Sequence, residues 1–322
     1  MRNLFCVISS FFITLNVFGT VDNNLNLNGN SFVPDVEIQA DLPEDFYCKA
    51  RKDPKVAKNN SVILFTNARN EKNIKEWAAH HLLIGFDLVY IFDHKSDIPL
   101  TGILSNFDTR VIVERCEWEN PVKMPLMERA VYLAKKLNAS WMLYLDADEF
   151  LILNDFKNVK RLLKTFPHAD ALGINWVLFG SNYHVDEPDG LILDNYTRSV
   201  LKLDLHIKTF VRPIKVVKAT NPHFFHIKDS MKTYSIDNKI NPLNPYNEWD
   251  VEYFNAPAYV AHYIFQSEET YTTRKLNLPR DDLNAFRNKI PNIHLLYNEV
   301  ENLNPKQKYA DQVSLFLQKY EH

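Results

Sequence analysis

Trp141-Met142-Leu143-Tyr144-Leu145-Asp146-Ala147-Asp148-Glu149-Phe150-Leu151-Ile152 is the stretch on which the fold turns. Five apolar residues run without a polar break, as in a strand buried on both faces of a sheet, and carboxylates emerge where the run ends. Carboxylate oxygens are the hard ligands that Mg²⁺ or Mn²⁺ prefers, and such a cation commonly takes few protein oxygens and completes its shell with substrate phosphates. A bare Asp-x-Asp also occurs in many solvated surface turns. At the end of a buried strand it reads instead as a metal-binding pair, whose cation can neutralise a departing diphosphate.

Working outward, the same alternation recurs upstream. Val62-Ile63-Leu64-Phe65 is a short apolar run with polar neighbours. Between Glu71 and Ile84, residues Ile74, Trp77, Ala78, His81 and Leu82 recur at helical spacing, with Gly85 as the stop. Leu88–Phe92 and Arg110–Val113 read as further strands, and a helix from about Pro125 to Leu137 presents Leu126, Ala130, Leu133 and Leu137 on one face. Strands alternating with helices predict an α/β fold with right-handed crossovers. Ligands then gather beyond the carboxyl ends of the strands. The loops Asn67–Glu71, Asp93–Asp97 and Asp146–Glu149 should therefore share one rim.

The 322 residues carry 37 basic and 40 acidic side chains, a net charge of −3, and are 46% hydrophobic. That balance gives one domain of enzyme size or two small ones, and argues against nucleic acid as the main partner. Glycine is scarce, 7 residues or roughly 2% where about 7% is typical. No two are close enough for G-x-G, which excludes the glycine-rich phosphate cradles of the Walker and dinucleotide-binding kinds. Cys6, Cys48 and Cys116 make neither a disulfide framework nor a C-x-x-C pair, and pairing of Cys48 with Cys116 stays open.

Residues 1–20 place one basic residue before an apolar stretch ending near Gly19, the pattern of a secretory signal peptide. A retained signal anchor and a buried helix are the alternatives. Either of the first two puts the body in the ER/Golgi lumen or outside the cell, touching membrane only through an uncleaved leader. Residues 21–58, rich in Asn and punctuated by Pro34, Pro43 and Pro54, read as a stem. Sequons begin at Asn59, Asn138 and Asn195.

In order along the chain, Asn67-Ala68-Arg69-Asn70-Glu71, Glu76-Trp77 with His80-His81, Tyr90-Ile91-Phe92-Asp93-His94-Lys95-Ser96 and the Trp141–Leu151 run are followed by Phe179-Gly180-Ser181-Asn182. Lys208-Thr209-Phe210-Val211-Arg212-Pro213, His223, Ala261-His262-Tyr263, Ser267-Glu268-Glu269 and Lys275 complete the series. Over roughly residues 61–285 this succession resembles glycosyltransferase family 92 and the related family 2-like glycosyltransferases. The resemblance implies a GT-A fold, a Rossmann-like, mixed and mainly parallel sheet flanked by helices in a single catalytic domain over 59–290, with 291–322 as a helical tail. It also implies transfer of a sugar from a UDP- or GDP-sugar to a glycan or glycoprotein acceptor, with Mn²⁺ or Mg²⁺ as cofactor.

Carried over, Asp93 would contact the nucleoside, Asp146 the ribose or the metal-bound water, and Asp148 the metal, with His262 completing a metal set of Asp146, Asp148 and His262. Asn70, Glu71 and Arg129 are expected on the donor, with Lys208, Arg212 and Lys275 around the diphosphate. The family's arginine and glycine after the lysine are replaced here by Leu276-Asn277-Leu278-Pro279-Arg280-Asp281, which leaves Arg280 at a shifted register.

An inverting transfer needs a carboxylate to take the acceptor's proton. The loop after Asn182 offers Asp186, Glu187 and Asp189, and Glu187 is the expected base. Trp176, Phe179 and Tyr183 are candidates for stacking on sugar rings. Two alternatives compete with transfer: a haloacid-dehalogenase-type phosphatase with Asp146 as nucleophile and a later acidic pair, and a noncatalytic carbohydrate-binding relative.

Overall fold

A computed structural model describes residues 60–241 and 245–320. The leader, the stem and the first residue of the Asn59 sequon lie outside the described residues. The first half of the domain is β1 (Val62–Ala68), α1 (Ile74–Leu83), β2 (Leu88–His94), α2 (Leu100–Ile103), β3 (Val111–Cys116), α3 (Lys123–Lys136) and β4 (Trp141–Tyr144). The second is β5 (Glu149–Leu153), α4 (Val159–Lys164), β6 (Ala171–Leu178), α5 (Ile192–Asn195), β7 (Arg198–Ser199), β8 (Asp204–Val211), β9 (Val216–Asn221), β10 (Phe224–Ile227), β11 (Thr233–Ser235), β12 (Ala258–His262), α6 (Glu268–Tyr271), β13 (Val300–Glu301) and α7 (Asp311–Leu317).

The main sheet runs β3-β2-β1-β4-β8-β6-β12-β5, with β11 beside β6. β3, β2, β1 and β4 are parallel, as the alternation of strands and helices predicts. β8 lies antiparallel between β4 and β6, β12 runs parallel to β6, and β5 closes the edge antiparallel to β12. The fold is thus the expected mixed, mainly parallel sheet. Apolar clusters fill both faces, α3 on one side and α1 with α7 on the other.

The polar residues of α1 have a packing role. β5 is an edge strand, and edge backbone groups need partners when they are buried. Trp77 Nε1 donates to Glu149 O at 2.7 Å, His80 Nε2 lies 2.9 Å from Leu151 O, and His81 Nε2 accepts from Leu151 N at 3.3 Å. Burial holds both histidines neutral, His80 at about 4, which suits a ring that accepts a backbone N–H. Gly85, at φ +102°, ends the helix in a conformation that favours glycine. The C-terminal segment belongs to the same body: α7 packs on α1, Tyr309 lies edge-on to His80, and Phe316 and Tyr320 pack on Phe107.

Candidate active site

Strand register explains how distant residues meet. Glu149, the first residue of β5, pairs with His262, the last of β12, and Tyr263 N donates to Asp148 O at 2.9 Å. The turn carrying Asp146 and Asp148 therefore lies against the end of β12. Beside it opens a cavity of about 450 Å³. Of the sequence-derived candidates, Glu71, Asp146, Asp148, Lys208, His262 and Lys275 line it together.

The two aspartates sit in different surroundings. Asp146 is gripped by two ammoniums, Lys123 in a close ion pair and Lys208 Nζ at 3.0 Å. Burial opposes its ionisation, but these cations hold its carboxyl well below the usual carboxylate range. Lys208, itself almost wholly buried, also lies 3.3 Å from Glu149. Burial pushes Glu149 up to about 8 even so, with Asp146 and Asp148 adding to the rise.

Asp148 is 2% exposed and ion-paired to Lys275 Nζ at 2.6 Å, yet neither of its carboxylate oxygens accepts a well-aligned hydrogen bond. Burial raises its pKa, and Lys275, His262 and Arg274 outweigh that and bring it down to about 2. His262 Nε2 is 3.7 Å from Asp148 Oδ1, and burial holds the ring neutral with a pKa of about 4. A neutral imidazole beside an ionised carboxylate suits a divalent cation. The full set Asp146, Asp148 and His262 is not assembled: Asp146 is taken up by lysines, and among the described residues no three His, Cys, Asp or Glu side chains form a metal-binding group.

The structure puts the other candidates outside the cavity. Asp93 is completely buried and accepts Ser96 N, Leu100 N and Arg115 Nη1, so it ties down the loop after β2. Asn70 braces the same loop through Ser96 and Asp97. Arg129 pairs with buried Glu114 at 3.3 Å. Arg212 donates to Ala169 O and stacks on Trp141. Glu187 pairs with Lys72, its backbone N–H donates to Glu269, and it does not line the cavity.

Lys123 escaped the sequence reading. Its signal was its place at the first turn of a helix that follows a parallel strand, where a side chain reaches the shared rim. Asp281 was equally hidden: it accepts from Asn67 Nδ2 at 2.7 Å, and its carbonyl accepts Val122 N and Lys123 N, so the segment after Lys275 forms part of the cavity wall.

The model of glycosyltransferase family 92 matches residues 63–290. A family 92 protein of Oryza sativa subsp. japonica is 26% identical over 261 residues, 76% of this chain and 43% of the relative. One of Ricinus communis is 23% identical over 227 residues, 66% of this chain and 40% of the relative. The chain thus spans about two fifths of the length of these curated relatives. Among solved structures, S. aureus TarS 1–349 in complex with UDP is similar with a TM-score of 0.33 and 16% identity, over 48% of this chain and 47% of that one.

Proposed function

The chain belongs to glycosyltransferase family 92, and we propose on that premise that it transfers a sugar, with inversion, from a nucleotide-sugar donor to a glycan or glycoprotein acceptor. The observation that carries the reading is the pairing of Asp148 with His262 at the wall of a cavity rich in lysine and arginine. A nucleoside diphosphate is an anion of matching charge, and charge-assisted contacts from Lys208, Arg274 and Lys275 favour it as a leaving group.

Asp148 and His262 are the residues that would hold Mn²⁺ or Mg²⁺, supported by a buried, ionised carboxylate that accepts no well-aligned hydrogen bond and by the neutral ring. When bound, the cation supplies positive charge to the departing diphosphate. Lys123 and Lys208 fix the Asp146 carboxylate, and with it the turn that presents Asp148. Asp281 and Lys275 hold the segment 275–282 in place at the cavity wall. Inversion requires a carboxylate to take the proton of the acceptor hydroxyl, and Glu187 does not line the cavity. The apolar leader at residues 1–20 supports work in the secretory pathway.

The phosphatase alternative needs a later acidic pair at a strand end. Asp281-Asp282 stands in a loop instead. The deciding experiment incubates the purified chain with Mn²⁺ and a panel of UDP- and GDP-sugars and measures released nucleoside diphosphate. Release that stops with EDTA and with Asp148→Asn is expected. Undiminished turnover by Asp148→Asn overturns the metal assignment, and phosphate release from simple phosphomonoesters without sugar transfer overturns the transferase.

A further inference from the structure

Trp176, His223, His206 and Tyr246 form a continuous aromatic run. Trp176 lies 5.0 Å from His206 with the rings 21° apart, 5.0 Å from His223, and 4.4 Å from His262 at the metal-side wall. His206 continues the run to Tyr246 at 5.0 Å and 76°. The inner end, Trp176 and His223, lines the cavity. The outer end emerges at Tyr246, 43% exposed, with Leu205 beside it at 42%.

The run is built rather than incidental. A register shift between Asn175 and Trp176 interrupts the β6–β8 ladder where the indole projects, and such irregularities re-aim side chains. His206 Nδ1 lies 2.6 Å from Asp204 Oδ1, which fixes the ring, and His206 bridges Tyr246 through the backbone. Asn247 N donates to Leu205 O at 2.7 Å and holds the Tyr246 segment against β8.

A second observation is independent of the stacking. Trp176 Nε1 is buried and has no hydrogen-bond acceptor, although a buried indole N–H ordinarily finds one and its loss costs about 1–3 kcal/mol. Trp176 is 9% exposed and its ring borders the cavity.

We propose that this run is an extended acceptor subsite that binds an oligosaccharide of two or more units, the terminal sugar at Trp176 and His223 and the preceding units along His206 and Tyr246. Sugar rings offer C–H faces to aromatic rings, and the exposed Tyr246 and partly exposed His206 rings supply such faces at the outer end. The inference rests on the transferase reading, since it takes the cavity end as the place of transfer. A nucleobase is the competing occupant.

The full chain is applied to an array of immobilised N-glycans and of the monosaccharides they contain, and UDP affinity is measured on the same preparations. Oligosaccharides should be retained over monosaccharides. Tyr246→Ala and His206→Ala should weaken that retention about tenfold, and His206→Phe, which keeps an aromatic face, should stay within about twofold. Absence of glycan retention, equal retention of monosaccharides, or a loss confined to UDP affinity overturns the subsite. A wild-type chain that retains oligosaccharides in this pattern but releases no nucleoside diphosphate sinks the transferase reading and upholds the glycan site.

Discussion

The Lys275 ammonium lies 2.6 Å from Oδ2 of Asp148, the carboxylate proposed to hold the cation. Lys275 lines the cavity, so its charge is available to both the wall and the ligand. Replacing it with methionine removes a charge-assisted contact of about 1.5–3 kcal/mol. Lys275→Met is expected to raise the KM for the donor at least about tenfold, whereas Lys275→Arg keeps most of the affinity. Initial rates across a donor titration check this, and an unchanged KM in Lys275→Met would remove the residue from the donor site.

Glu187 gives the opposite expectation. A general base contributes about 10²–10⁴-fold, so its isosteric amide would nearly abolish turnover. Here the carboxylate pairs with Lys72, whose side chain is 74% exposed, and exposed pairs are worth little. Glu187→Gln should change kcat by less than about threefold. A hundredfold loss in a steady-state assay would restore it as the base.

The contrast between these residues marks what the chain discloses in one dimension. Strand-end carboxylates are legible because an apolar run fixes where the strand stops, and β1, β2, β3 and β4 fall where periodicity puts them. The antiparallel half is not legible this way. β8 enters between β4 and β6, and β5 pairs with β12 more than a hundred residues later, so the nearness of His262 to Asp148 is a matter of register. Lys123 and Asp281 stayed hidden for the same reason. Their chemistry comes from a crossing of loops, while Asp93 and Arg129 carry suggestive charge yet spend it on Arg115 and Glu114.

Gly180 tests the packing behind Tyr297, which lines the cavity. A Cβ there would meet Leu296 O at 2.6 Å and run into the Asn298 amide. Asn298 accepts Asn182 N at 2.9 Å and donates to His294 O at 2.9 Å, which joins the 180–182 turn to the segment carrying Tyr297. Gly180→Ala should destabilise by about 1–3 kcal/mol, a fall in Tm of about 2–12 °C in thermal denaturation. A Tm within one degree or so of wild type would mean that the contact relaxes freely.

Glu76 makes stability depend on pH. Its carboxyl is almost fully buried on α1 and accepts Ile192 N at 2.7 Å and Leu193 N at 2.9 Å. Burial raises its pKa to about 8 despite these donors, against 4.5 for the free group. A pKa higher in the fold than in the unfolded chain means that the folded protein keeps a proton the unfolded one releases. The resulting stability is fully present below pH 4.5, declines as pH rises between 4.5 and 8, and is gone above that, at most about 1.4 kcal/mol per pH unit. Glu76→Gln carries no such proton. Denaturant midpoints measured from pH 5 to 8 should therefore fall more steeply for the wild type than for the variant, and parallel curves would show that the carboxylate is ionised in the fold.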